Sequence, residues 1–137
     1  MKTILYLSVL FFLFSSCNKD FESQNIDSDL FVSAGIVDNN VRLGVQSERM
    51  YPTPGYQITY SDKVRKNEIY IKFKKINAPE LGLTVLAPAT CSIDLGKLED
   101  GEYRITFELN EKKTNGKLII GSAVGLTLDS GSNVKPK

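Results

Sequence analysis

The chain has 137 residues, with 17 basic and 16 acidic side chains and a net charge of +1. This balance argues against nucleic acid as a partner, because phosphate binding needs an excess of Lys and Arg. The sequence contains no His and no Trp. Without His it lacks the commonest general base and the commonest metal ligand, so we expect no metal, no cofactor and no enzymatic activity.

The first residues have the organisation of an export signal followed by a cysteine. Lys2 precedes an almost unbroken apolar run of 11 residues, 4–14, which is shorter than the ~20 residues that span a membrane. Small residues, Ser15 and Ser16, stand before Cys17. This arrangement resembles the lipobox of bacterial lipoproteins. The resemblance implies that residues 1–16 are a lipoprotein signal peptide, and that Cys17 carries a diacylglyceryl group and an acyl chain such as palmitate. An ordinary secretory signal with a nearby cysteine is the alternative.

Residues 17–28 are then expected to be a lipidated flexible tether. Only Phe21 and Ile26 are apolar between residues 18 and 28, too few to offset the entropy of ordering the segment. Asp20 and Glu22 loosely resemble the acidic signals that direct some Gram-negative lipoproteins to the outer face of the outer membrane; a solvated tether is the alternative. The resemblance implies a lipid-anchored protein of the cell envelope, located at the outer membrane on its periplasmic or surface-exposed face.

Residues 29–128 are predicted to form one β domain, because apolar and polar residues alternate along them. The alternation is clearest at 69–73 and 103–109, which indicate half-buried antiparallel strands. Asp38-Asn39-Asn40 and Asn115-Gly116 are the predicted hairpin turns. No helical pattern of ten residues follows the signal. Further strands are predicted at 30–36, 41–45, 56–60, 83–86, 91–95, 117–120 and 123–128.

Roughly seven to nine short strands at this spacing predict an all-β protein, either a sandwich or a barrel. The segment from Leu98 to Tyr103 resembles the turn that enters the second sheet of immunoglobulin-like and fibronectin-III-like modules, where a Tyr bonds back to the preceding corner. The resemblance implies an antiparallel two-sheet β-sandwich of immunoglobulin type, which we favour over a barrel. Residues 129–137 are expected to be a disordered tail.

In such a sandwich the strands at 69–73 and 103–109 are neighbours. Lys72 and Lys74 would then face Glu108 and Glu102 across the ladder. The same pairing explains the basic run of residues 63–75 as an ordinary solvated face; docking of an acidic glycan or a lipid headgroup is the alternative.

Aromatic residues supply the one candidate ligand site. Residues 51–56 read Tyr-Pro-Thr-Pro-Gly-Tyr, a rigid loop with Tyr51 and Tyr56 at its ends, and Tyr60 follows on the same strand face as Tyr56. Tyrosines offer a flat apolar body and a hydroxyl, which suit stacking on a sugar or anchoring a protein partner. The favoured interpretation is structural: Tyr56 and Tyr60 line the core beside Ile58, while Tyr51 fixes the loop.

Other candidate sites are weaker. Cys91 alternates with Ile93 and Leu95, so we expect a small inward-facing hydrophobe and not a nucleophile. Residues 38–40 offer oxygen ligands for calcium, but a plain turn explains them better. Hydrolysis by a pair of carboxylates needs a cleft, for which a sandwich of this size has little room. Asp94, Asp100 and Glu102 lie near a turn, and we assign them to its solvent side.

The sequence therefore predicts a non-catalytic, membrane-anchored envelope lipoprotein that acts as an interaction or accessory module. Its partners would be the membrane, through the lipid on Cys17, and an envelope protein or a glycan. A carbohydrate-binding surface lipoprotein that uses Tyr51, Tyr56 and Tyr60 is the first alternative. A small protease inhibitor or assembly subunit is the second, with residues 111–116 as its protruding loop.

Overall fold

The computed structural model describes residues 22–137, so the predicted signal peptide, Cys17 and the first part of the predicted tether lie outside the described residues. Residues 22–137 form ten strands and no helix. The strands are β1 Ser23–Gln24, β2 Leu30–Val37, β3 Asn40–Tyr51, β4 Gln57–Arg65, β5 Glu68–Asn77, β6 Ala87–Asp94, β7 Gly101–Leu109, β8 Lys112–Ile120, β9 Val124–Leu128 and β10 Val134–Pro136.

All ten strands belong to one sheet, in the order β10-β2-β3-β6-β4-β5-β7-β8-β9, with β1 paired to β5. The two ends of the sheet come together, because β9 contacts both β2 and β10. The sheet is therefore nearly closed into a barrel. The all-β prediction is confirmed, whereas the two-sheet, immunoglobulin-like arrangement is not.

The interior of the sheet is filled by the alternating residues that the sequence predicted. Ile69 and Ile71 of β5 and Ile105 of β7 are almost completely buried. Phe73 and Phe107 stack with their ring centroids 5.9 Å apart. Burial of such side chains contributes roughly 1.5–3 kcal/mol each, so this layer accounts for much of the stability of the fold.

β5 and β7 are neighbours, as predicted, but they run parallel. Lys72 does face Glu108 in the ladder. Because parallel strands begin at the same end of the sheet, Glu102 lies far from Lys74 and instead pairs with Lys117 of β8 at 3.1 Å. The predicted pairing is thus right for one lysine and wrong for the other.

Of the two predicted hairpin turns, the structure contains one and places the other elsewhere. Asp38 and Asn39 have φ values of 51° and 65° and close the β2–β3 hairpin, as predicted. The turn predicted at Asn115-Gly116 is wrong. The chain turns at residues 110–111, with φ values of 51° and 67°, and residues 112–120 form β8. The protruding loop expected at residues 111–116 is therefore mostly strand.

Gly116 explains this error. It lies inside β8, where an added Cβ would meet the Thr127 carbonyl oxygen and the Leu128 side chain. The close approach of β9 requires a glycine at this inward position. Because glycine is not an apolar side chain, it interrupts the alternation by which a strand is identified in the sequence.

The local corner before β7 matches its prediction. The Tyr103 hydroxyl donates a hydrogen bond to the Glu99 carbonyl at 2.9 Å. This contact spans only four residues and fixes the approach to β7, but it does not determine how distant strands pair.

Both ends of the described chain are more ordered than the sequence predicted. β1 pairs with β5, and Ile26 is 1% exposed, so the domain begins within the expected tether. β10 pairs with β2, and Val134 is 1% exposed, so residues 134–136 are not a disordered tail. In each case one apolar side chain enters the core while the backbone pairs with a neighbouring strand.

Candidate functional site

Two loops pack against each other at the end of the sheet where β3 ends and β6 begins. We name residues 51–56, from the last residue of β3 to the start of β4, the tyrosine loop. Residues 78–86, between β5 and β6, are the apolar loop. The Leu83 backbone N–H donates to Thr53 Oγ1 at 2.6 Å. Gly82 lies so close to Thr53 that an added Cβ would sit 2.7 Å from its hydroxyl oxygen. The tyrosine loop therefore supports the apolar loop.

Tyr51 is the buried member of the predicted tyrosine site. It is 3% exposed and stacks on Tyr56, with ring centroids 4.6 Å apart and an interplanar angle of 26°. The guanidinium of Arg49 lies 5.5 Å from the Tyr51 ring centroid. Tyr56 is only half-buried. Tyr56 and Tyr60 do pack against the core, as expected, but Tyr51, which was expected only to fix the loop, is the most deeply buried of the three.

The Tyr51 hydroxyl is buried without a hydrogen-bond partner among residues 22–137. Burial raises the pKa of Tyr51, and the nearby Asp27 carboxylate raises it further. The hydroxyl thus remains protonated at neutral pH and carries a desolvation cost that the ring packing must offset.

Tyr60 has a different environment. β4 and β6 share a single ladder pair, Gln57 with Thr90, and we call this weak junction the seam. The half-buried Tyr60 reaches across the seam, and its hydroxyl donates to the Ser92 carbonyl at 3.2 Å. The structure therefore brings Tyr51 and Tyr56 together, whereas Tyr60 stabilises the junction of two strands.

The apolar loop is the feature that sequence reasoning missed. Residues 83–86 were predicted to be a strand, but they pair with no strand of the described chain. Residues 81–86 contain no charged side chain, and most of their apolar surface lies in solvent. The exposed fractions are 89% for Leu81, 72% for Leu83, 58% for Val85 and 67% for Leu86.

An exposed apolar cluster of this size is unusual, since large apolar patches on soluble domains usually mark an interaction surface. The sequence carried a signal for it. The apolar residues 81–86 lie between Pro79 and Pro88, which limit strand pairing on either side.

Cys91 and Ile93 lie on β6, on the inward side that the alternation predicted, and Leu95 directly follows the strand. It is half-buried and is not in a disulfide among residues 22–137. Burial raises the pKa of the Cys91 thiol from 9.0 to about 12. A thiol that stays protonated at neutral pH is a poor nucleophile, so the geometry favours a packing role.

Two of the three acidic candidates, Asp94 and Glu102, have structural partners. Asp94 accepts a hydrogen bond from the Gly96 backbone N–H at 2.8 Å and lies 3.6 Å from Arg42. Within residues 22–137 no group of three or more His, Cys, Asp or Glu side chains could hold a metal ion.

The basic run borders a shallow cleft of about 450 Å³ on the outer face of β4, β5 and β7. Lys63, Arg65 and Arg104 line this cleft, together with Glu68. Glu68 lies 3.7 Å from Arg104, so the positive charge of the cleft is partly neutralised.

Across the described part of the chain, no helix is long and apolar enough to cross a membrane. Comparisons with protein-family models, with curated proteins and with solved structures gave no match. The functional argument therefore rests on the residues of this chain and on their geometry.

Proposed function

We propose that this chain is a lipid-anchored, non-catalytic lipoprotein of the cell envelope, and that its β domain acts as an interaction or accessory module. The observation that carries the proposal is the segment Ser15-Ser16-Cys17, which follows an almost unbroken apolar run of 11 residues and resembles a lipobox. One acyl chain binds a membrane reversibly, but two or three chains together give a stable anchor.

The start of the described domain supports a short link to the membrane. The Ala78 backbone N–H donates to the Glu22 carbonyl at 3.1 Å, which fixes Glu22 beside the apolar loop. Cys17 precedes Glu22 by five residues. Because an extended chain spans at most ~3.6 Å per residue, the lipid would be attached within roughly 18 Å of Glu22.

The chemistry of the domain supports binding over catalysis. The raised pKa of Cys91 leaves its thiol protonated, and Asp94 is engaged by Arg42 and Gly96. The carbohydrate-binding alternative requires tyrosine faces open to solvent. Tyr51 is buried against Tyr56, which leaves that alternative with less support than a protein or membrane interaction.

The anchor can be tested in a bacterial host that processes lipoproteins. Wild type, Cys17→Ala and the control Cys91→Ala would be grown with a labelled fatty acid, and the cells would then be fractionated. We expect label and membrane association for wild type and Cys91→Ala, and neither for Cys17→Ala. Label that persists in Cys17→Ala, or an unlabelled wild type, would contradict the proposal.

A further inference from the structure

We propose that the apolar loop is a second membrane contact, which enters the interfacial layer of the same bilayer that holds the lipid on Cys17. The inference deepens the proposed function and takes the position of the anchor from it. The binding partner that we propose for the apolar loop is a lipid surface.

The composition of the loop suits the membrane interface. Leu81, Leu83 and Leu86 are each more than half exposed, and no charge lies between them. Glu80 is the only charged residue of the loop, and it stands at the start, before the leucines. Transfer of apolar side chains from water into the boundary of the acyl chains is favourable, whereas a charged side chain among them would oppose entry.

The loop is also ordered before any contact. Thr53 accepts the Leu83 N–H, and the Val85 N–H donates to the Leu83 carbonyl at 2.8 Å. Gly82 packs directly on Thr53. A loop that is already held in shape loses little conformational entropy when it binds.

The path of the chain favours a membrane as the binding partner of the apolar loop. β1 pairs with the end of β5, through Ser23 with Asn77, immediately before the apolar loop begins. The lipid on Cys17 would therefore be attached close to the base of the loop, so anchoring holds the leucines at a high effective concentration next to the bilayer. Neither a second copy nor a separate protein partner has such a covalent link to this end of the sheet.

The absence of Trp from the chain allows a direct test. The protein would be prepared as residues 17–137 with the substitution Cys91→Ala. These residues are the product of the proposed cleavage and include all ten strands. Cys17 would then be coupled to a maleimide phospholipid in phosphatidylcholine vesicles. Leu83→Trp would report from the apolar loop, and Leu86→Trp would serve as a second reporter.

The matched control is Ile36→Trp. Ile36 is 45% exposed and pairs with Val41, near the start of β3, whereas the end of β3 pairs with Ala87 beside the apolar loop. The control position therefore lies at the opposite end of the strands. Circular dichroism would verify that each variant is folded.

We expect the emission of both loop reporters to shift to shorter wavelength on vesicles and to be quenched by bromines on the lipid acyl chains. The control should show neither change. Adding Leu81→Glu to Leu83→Trp should abolish the quenching. Without the tether, replacing one leucine by a polar residue should weaken vesicle binding about tenfold or more.

Three results would overturn the inference: loop reporters that remain solvent-exposed, equal quenching of the loop and control positions, or quenching that survives Leu81→Glu. A blue shift that grows with protein concentration in the absence of vesicles would indicate a second copy instead. Because the lipid is attached chemically, this experiment and fatty-acid labelling in cells can fail independently.

Discussion

Truncation of Tyr51 should reveal whether the tyrosine loop is built around a core residue. Deleting a buried aromatic side chain costs ~3–5 kcal/mol, and the stacked ring pair adds a fraction of that, so we expect Tyr51→Ala to lose about 4 kcal/mol of unfolding free energy. Tyr56, the residue on which Tyr51 stacks, is only half-buried. Its truncation should cost about half as much, roughly 2 kcal/mol.

The matched control is Tyr51→Phe, which keeps the ring and removes only the hydroxyl. That hydroxyl has no partner among the described residues, so its removal should be neutral or stabilising, within about 1 kcal/mol of wild type. Unfolding in urea would be followed by circular dichroism. With a slope of ~1–3 kcal/mol per molar urea, Tyr51→Ala should lower the midpoint by roughly 2 M.

Two outcomes would refute this reasoning. If Tyr51→Phe lost as much stability as Tyr51→Ala, the hydroxyl would have to be engaged in the folded protein. If Tyr51→Ala stayed within about 1 kcal/mol of wild type, the ring would not belong to the core, and the carbohydrate-binding alternative would regain support.

Two further predictions concern the start of the domain and the buried thiol. Ile26→Ala should cost ~2–5 kcal/mol by urea unfolding, because the side chain is 1% exposed, whereas the exposed Gln24→Ala should change stability by less than ~0.5 kcal/mol; equal effects would exclude Ile26 from the core. For Cys91, the folded pKa of about 12 lies above the reference value of 9.0, so the unfolded state loses the proton first. Stability should therefore fall as pH rises from 9.0 toward about 12, more steeply in wild type than in Cys91→Ala, and coincident pH profiles would contradict the assignment.

The sequence predicted those parts of the fold that depend on neighbouring residues. The alternation along 69–73 and 103–109, the turn at Asp38-Asn39 and the Tyr103 corner all use contacts within a few residues, and the structure contains each of them.

Features that depend on distant partners were not predictable in the same way. The parallel pairing of β5 with β7 is a choice between distant segments, and no local pattern specifies the direction of a neighbouring strand. β1 and β10 are short, and each has only one deeply buried side chain nearby, Ile26 or Val134, so no periodicity reveals them.

The candidate site shows the same limit. The sequence located the Tyr51–Tyr56 pair, but the burial order depends on how the loop folds over the sheet. For residues 83–86 the pattern identified apolar side chains correctly and assigned them to a strand. Whether such residues face a core or solvent depends on the presence of a partner strand, which the residues themselves do not encode.

The seam has a consequence for aggregation. Residues 61–65 of β4 pair with β5 on one side, but within the described chain no strand pairs with their other side. An open edge of this kind can recruit a strand from another copy. Asp62, Lys63 and Arg65 place exposed charges along the edge. Such charges discourage edge-to-edge pairing, so the sheet can remain incompletely closed while the protein avoids assembling into extended fibrils.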